Sequence, residues 1–241
     1  AEEGVFFIMP SGSNTPPPQN QERDFVFQKS PVDYQKYCLG FNNVMKHINN
    51  GDTFLLNLTM PTKVSTDITL EEVFSRSNAP YRLLFKDKFV CFSPERFIKI
   101  QGREISSNPM KGTIDASVPA ARQLILNDEK ETAEHNTIVD LIRNDLSMVA
   151  GGVHVSRYRY FDEITTNQKT LLQVSSEIKG TLPEDYPEHL GEILSRLLPA
   201  GSISGAPKEK TVEVIHNSEL DNRGYYTGVF FHFDGENLDS A

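Results

Sequence analysis

The sequence predicts an α+β fold, a mixture of amphipathic helices and antiparallel strands, and three observations carry that reading. Apolar residues recur at helical spacing through Pro31–Asn50 and again from about Pro119 to Ala150. FKDKFVCFSPERFIKIQGREI reads as a hairpin followed by another strand, while VHVSRYRYFDEI and TLLQVSSEIKGTL are two further β-branched and aromatic strand candidates. With 241 residues, 38% of them hydrophobic and 10% aromatic, the chain can bury a substantial core. No repeat and no clear linker divides it, so one domain over 1–241 is expected.

Taken in order, GVFFIMP is a strand that stops at SGSNTPPPQNQE, and the Pro-rich stretch 10–22 is expected to be a mobile surface loop. The helix of Pro31–Asn50 has Ser30 placed to cap it, Pro31 in its first turn, and Gly51 as its stop. Tyr34, Cys38, Phe41, Val44, Met45 and Ile48 form its apolar stripe. TFLLNLTMPTKV is a strand, and Leu70–Ser77 is a short helix capped by Thr69. In the second half of the Pro119–Ala150 pattern, Ile138, Leu141, Ile142 and Val149 make the apolar stripe. Glu131, Glu134 and His135 share another face at i, i+3 and i+4. PEHLGEILSRLLPAG is a helix stopped at Gly201, GSISGAPK a small-residue loop leading into a helix over Glu209–Asn217, and RGYYTGVFFHFDGENLDSA a closing strand and hairpin start. Backbone amides in such a loop favour an anionic group.

Charge and cysteine content exclude several classes of function. A net charge of -9 with no Lys/Arg cluster does not make a nucleic-acid surface, and a small anionic ligand would need local cations. Cys38 and Cys91 are too isolated for a disulfide framework or a metal spacing. No apolar run approaches the roughly 18 residues of a membrane span, and the N-terminus lacks a signal peptide's pattern, so the expectation is a reduced, cytoplasmic protein.

The chain is organised around ISSNPMKGT. Pro109 fixes its own φ and Gly112 frees the next step, so Lys111 is presented by a defined bend, either as a solvated surface charge or as a nucleophile. An unperturbed lysine is protonated at neutral pH and only the neutral amine attacks, so a nucleophilic role demands burial or a nearby cation.

Five segments in order, SPERF, PMKGT, EKETAEHNTIVDLIRNDL, AGSISGAPK and RGYYTG, resemble the chorismate-utilising enzymes: anthranilate synthase, aminodeoxychorismate synthase component I, isochorismate synthase and salicylate synthase. The resemblance runs from about Asp33 to Ala241. It implies two mainly antiparallel sheets packed face to face with flanking helices, and a catalytic site between them. PMKGT differs by one apolar residue from the PIKGT of aminodeoxychorismate synthases, whereas anthranilate synthases carry alanine where this chain has Lys111. The resemblance therefore implies amination of chorismate to 4-amino-4-deoxychorismate on the para-aminobenzoate route to folate, with Lys111 adding covalently to the ring as the hydroxyl leaves. A separate glutamine amidotransferase subunit would supply the ammonia, since no Cys/His nucleophile pattern for glutamine hydrolysis is present.

The same resemblance makes Glu95 a general acid at the leaving hydroxyl; from the residues alone, Glu95 equally pairs with Arg96 or Arg103 at a strand end. Glu134 matches a magnesium ligand, and Mg2+ bridging its carboxylate to a carboxylate of the substrate would let an acidic protein bind a dianion. Read without the resemblance, Glu131 and Glu134 are an exposed helical face, and His135 is as open to a packing or supporting role as to a catalytic one. Thr113, Ser202, Gly205, Ala206 and Tyr226 fall in the segments that line the substrate. Gln173 stands where anthranilate synthases have histidine. Leu55 stands where the water-adding members have a lysine base, which leaves amination rather than water attack. Relatives continue past LDSA with an arginine strand, a GGGI turn and a helix carrying a second magnesium glutamate, so the segment as read here is expected to be incomplete and poorly active alone. The rivals are anthranilate synthase component I and a non-catalytic chorismate-binding remnant.

Overall fold

The computed structural model describes residues 4–15, 23–93, 95–166 and 169–241. Most of the proline loop, 16–22, lies outside them. In the first part of the chain the elements are β1 (Val5–Met9), β2 (Gly12–Ser13), β3 (Phe27–Ser30), α1 (Tyr34–Asn49), β4 (Leu55–Leu56), β5 (Lys63–Thr66), α2 (Leu70–Arg76), β6 (Tyr81–Phe85) and β7 (Phe89–Ser93). They are followed by β8 (Lys99–Gln101), β9 (Glu104–Ser107), β10 (Met110–Asp115), α3 (Ala121–Asn127), α4 (Glu129–Ser147), β11 (Gly151–Thr165) and β12 (Thr170–Thr181). A 3-10 turn at Tyr186–His189 leads to α5 (Leu190–Leu197), α6 (Gly201–Ser204), β13 (Gly205–Ala206), α7 (Lys208–Ser218), β14 (Phe231–Phe233) and β15 (Leu238–Ser240). Helices and antiparallel ladders are thus mixed as an α+β fold requires. Contacts divide the chain into two units, the first running up to Phe92 and resuming over Ile203–Gly228, the second made of Ser93–Ser202 and Val229–Ala241.

In the first unit, β1 pairs antiparallel with β6 in a sheet of order β2-β1-β6-β7, and the pairs β3/β5 and β4/β13 stand apart. α1 begins three residues later than the periodicity indicates. The Asp33 carboxylate accepts from the backbone N–H groups of Gln35 and Lys36 and so caps the helix, while Ser30 belongs to β3. Its stripe also differs: Gly40 and Val44 are buried, whereas Tyr34 is 76% exposed and Tyr34, Tyr37 and Phe41 stack on one another along the outer face. Gly40 sets the side that packs, because a Cβ there would meet Ser218 O at 2.7 Å and the Met60 methyl at 2.8 Å. α2 starts as read, with a full capping box between Thr69 and Glu72.

In the second unit, β12 is the shared strand. β11 runs along one edge of it, and β9 and β10 lie end to end along the other, in a seven-stranded sheet of order β10-β12-β9-β8-β15-β14. Ile98, Ile100, Ile105, Val174, Ile178, Leu182 and Leu238 are essentially fully buried, each contributing about 1.5–3 kcal/mol of transfer free energy. α4 contributes Ile138, Val139, Ile142 and Leu146 to that interior. The long helix expected from Pro119 to Ala150 is two helices. Asp128 takes an extended conformation, ends α3, and caps α4 by accepting from Glu131 N–H, a competition that hydrophobic period alone does not register. α5 stops at Leu197 rather than at Gly201, because Leu198 precedes a proline and is extended; Gly201 instead opens α6. The GSISGAPK segment is accordingly a single helical turn and a two-residue strand, not an open loop.

Candidate active site around the bulge of β10

Lys111 lies in a strand rather than in a turn, and the strand is bulged there. Met110 faces Ser175 and Thr113 faces Gln173, so three steps on β10 match two on β12 and one extra residue is accommodated at Lys111–Gly112. Gly112 has φ +91, a left-handed conformation that a side chain disfavours, and a Cβ there would meet Glu131 Oε2 at 3.1 Å and Ile125 Cδ1 at 3.4 Å. Lys111 and Gly112 fall outside the register with β12, and the lysine side chain faces α4. There, Lys111 Nζ sits 2.8 Å from Glu134 Oε2, with 37% and 29% of the two side chains exposed.

The helical spacing of Glu131, Glu134 and His135 therefore faces β10. Lys130 approaches the second oxygen of Glu134 at 3.6 Å, and the hydrogen bond from Lys111 is the main influence holding the Glu134 carboxyl below its ordinary range, against the opposing effect of burial. Glu95 meets the start of β10, next to the lysine. Burial pushes its carboxyl up to about 7, opposed by a hydrogen bond from the Met110 N–H, the residue next to the lysine. A carboxyl with that value exists in both protonation states near neutrality. Arg96 reaches Asp239 at 3.0 Å and Arg103 reaches Glu184 at 3.0 Å.

His135 is 1% exposed, and burial is the main cause holding its imidazole below the usual histidine value. Its Nε2 lies 2.7 Å from Ser176 Oγ and its Nδ1 3.3 Å from the Lys111 carbonyl. The sequence reading missed Ser176, and the available signal was a serine pair inside an otherwise apolar strand, LLQVSSEI. Both serines are fully buried, and a buried hydroxyl needs partners.

Lys111 and Thr113 lie on β10, with Glu134 paired to the lysine and Glu95 accepting from the N–H of its neighbour Met110. Thr113 is exposed, and its hydroxyl donates to Gln173 Oε1. Ser202 lies in α6 of the same unit. Gly205, Ala206 and Tyr226 belong to the first unit. Gly205 has φ +104 and its missing Cβ would fall 1.9 Å from Leu55 O, so the β4/β13 pairing admits no other residue. Tyr226 is 69% exposed in a turn closed by its N–H donating to Arg223 O.

A divalent cation would find in Glu134 a hard-oxygen donor whose two oxygens now face ammonium groups. Among the described residues no group of three or more His, Cys, Asp or Glu converges on a metal position. That donor set fits the mode in which one carboxylate binds Mg2+ and ligand oxygens and water complete the shell.

A family described as chorismate binding enzyme matches residues 3–241. The chain is 50% identical over 242 residues to an uncharacterised PabA-like protein of Pasteurella multocida, covering 100% of this chain and 75% of that one. It is 32% identical to an anthranilate synthase component 1 of Haloarcula marismortui (91% of this chain, 46% of that protein). It is 28% identical to aminodeoxychorismate synthase component 1 of Bacillus subtilis (83% and 44%). The crystal structure of anthranilate synthase component I from Streptococcus pneumoniae superposes with a TM-score of 0.71 at 24% identity, covering 89% of this chain and 50% of that one. The chain thus spans about half the length of the synthases it matches.

Proposed function

The chain belongs to the chorismate binding enzyme family, and from that premise we propose that it carries the amination chemistry of an aminodeoxychorismate synthase component I. The observation that carries the reading is a lysine delivered by the β10 bulge beside a carboxyl that is protonatable near neutrality. Overall similarity does not choose between reactions, since the anthranilate and aminodeoxychorismate synthases match at 32% and 28%. Lys111 is the feature that favours amination in this reading.

In this reading, Lys111, once deprotonated, donates its lone pair to a ring carbon of chorismate. The ring C–O bond breaks, and Glu95 protonates the departing hydroxyl so that it leaves as water rather than hydroxide. Ammonia then forms the new C–N bond, displaces the lysine amine, and loses a proton to give 4-amino-4-deoxychorismate. Glu134 is the residue that would hold Mg2+, which when bound would neutralise a substrate carboxylate beside the acidic face of α4. Thr113, Ser202, Gly205, Ala206 and Tyr226 are proposed to contact substrate. A glutamine amidotransferase partner would supply ammonia in the cell. Among the described residues no helix is long and apolar enough to cross a membrane.

The test is incubation of the full-length gene product with chorismate, magnesium and ammonium, with mass spectrometry of small molecules and protein. Aminodeoxychorismate together with a ring adduct on Lys111 supports the assignment. Anthranilate or isochorismate as product, or an unimpaired Lys111→Ala variant, overturns it.

A further inference from the structure

The opposite edge of β12 is irregular at three points along β11, and one of them lies opposite the β10 bulge. Arg157 faces Glu177 and Tyr160 faces Ser175, so β11 accommodates one extra residue at Tyr158–Arg159, and Arg159 has φ +49. The two bulges meet at Ser176. Its N–H donates to Pro109 O at 3.1 Å, and its Oγ lies 3.0 Å from the Arg159 N–H and 2.7 Å from His135 Nε2.

The donor and acceptor inventory leaves these groups one arrangement. A backbone N–H only donates, so Ser176 Oγ accepts from Arg159. The serine oxygen keeps a second lone pair, so this bond alone does not orient its proton. The other side of the ring does: Nδ1 faces the Lys111 carbonyl at 3.3 Å, which only accepts, so a neutral His135 carries its proton on Nδ1, leaving Nε2 bare to accept from the Ser176 hydroxyl. The chain Arg159 N–H to Ser176 hydroxyl to His135 to Lys111 C=O therefore runs through the sheet from one bulge to the other with every proton assigned.

We propose that His135 is a positioning residue: as the Nδ1–H tautomer, oriented by Ser176, it grips the Lys111 carbonyl at the bulge and so fixes the direction in which the lysine side chain leaves β10. The proposal rests on Lys111 being the nucleophile. A core histidine that merely fills space would be replaceable by an apolar residue of similar size. A gripping histidine is not, because an amine displaced by about 1 Å from its line of attack loses roughly 100-fold in rate.

Two measurements on the full-length protein decide it. In long-range 15N–1H spectra without substrate, one of the six histidines, assigned by its loss in His135→Asn, should show the Nδ1–H pattern, and Ser176→Ala should convert it to a tautomer mixture. In chorismate amination, His135→Leu should lower kcat roughly 10- to 100-fold with KM within about twofold. His135→Asn, whose side-chain N–H can occupy the Nδ1 position, should recover part of that loss. An Nε2–H tautomer in the wild type, or a His135→Leu kcat equal to wild type, overturns the proposal. A wild type inert toward chorismate and ammonium overturns the amination reading instead, and the hydrogen-bond relay then stands or falls on the tautomer alone.

Discussion

The bulges on the two edges of β12 place different residues at the left-handed position. On β10 it is Gly112, where φ +91 costs little and the neighbouring side chain is a lysine turned toward α4. On β11 it is Arg159, where φ +49 costs about 1–2 kcal/mol for a residue with a Cβ. The arginine is offset by what it holds: its guanidinium donates to Leu126 O and Ile125 O at 3.1 Å each, satisfying carbonyls at the end of α3. One bulge presents the lysine proposed to react, and the other braces the end of α3. The same backbone irregularity serves opposite ends according to whether the side chain it turns out pairs with a partly exposed carboxylate or with buried carbonyls.

That contrast breaks most sharply at the presenting bulge. Lys111→Ala should reduce amination by about 10^4-fold or more while leaving the thermal midpoint within a degree or two, because the side chain is only partly covered and is a nucleophile in this reading. Loss of fold with loss of activity would instead make Lys111 part of the brace. Glu95→Gln should lower kcat by about 10^2–10^4-fold. It also carries a stability signature with a fixed sign. The Glu95 carboxyl moves from an unfolded value of 4.5 to about 7 in the folded protein, so the native state binds the extra proton, and its stabilising contribution is lost as pH rises from 4.5 through 7. Denaturant melts should therefore find Glu95→Gln more stable than wild type at pH 8, by up to about 3 kcal/mol, with the advantage gone at pH 4.

At the bracing bulge, Arg159→Gly relieves the φ strain but removes both guanidinium hydrogen bonds. A net loss near 2 kcal/mol is expected in urea titration, with kcat per folded molecule changed far less than in Lys111→Ala. Gly112→Ala should cost about 1–2 kcal/mol through its positive φ and the close Glu131 carboxylate. If Gly112→Ala were neutral and Arg159→Gly stabilising, the division of labour between the two edges would be refuted.

Much of this was legible in the chain itself, and the exceptions have physical causes. Strands β11 and β12 and the Thr69 cap follow from local residue chemistry, and so does the clustering of Glu131, Glu134 and His135 on one face. Lys111 and Gly112 could be singled out, but the bulge could not, because a register offset belongs to the pairing with β12 and is not encoded in β10 alone. The outward stack of Tyr34, Tyr37 and Phe41 ran against the apolar stripe because Gly40, invisible to a hydrophobicity count, is what lets the other side of α1 approach Ser218. The raised carboxyl of Glu95 was equally hidden, since it depends on tertiary burial and on the Met110 N–H rather than on SPERF itself.

Distance along the chain has a consequence in time. Lys111, Glu134 and His135 are assembled by β10, α4 and β12, neighbours along the chain, whereas the backbone beside Glu95 is tied down by β15: Phe97 and Ile98 N–H donate to Ser240, which lies 142 residues from Ile98. Closing so long a loop is slow compared with forming the β11/β12 hairpin. During refolding the contacts around Lys111 should form before the backbone beside Glu95 is fixed, so in the amination reading a nascent chain would position its lysine before its acid.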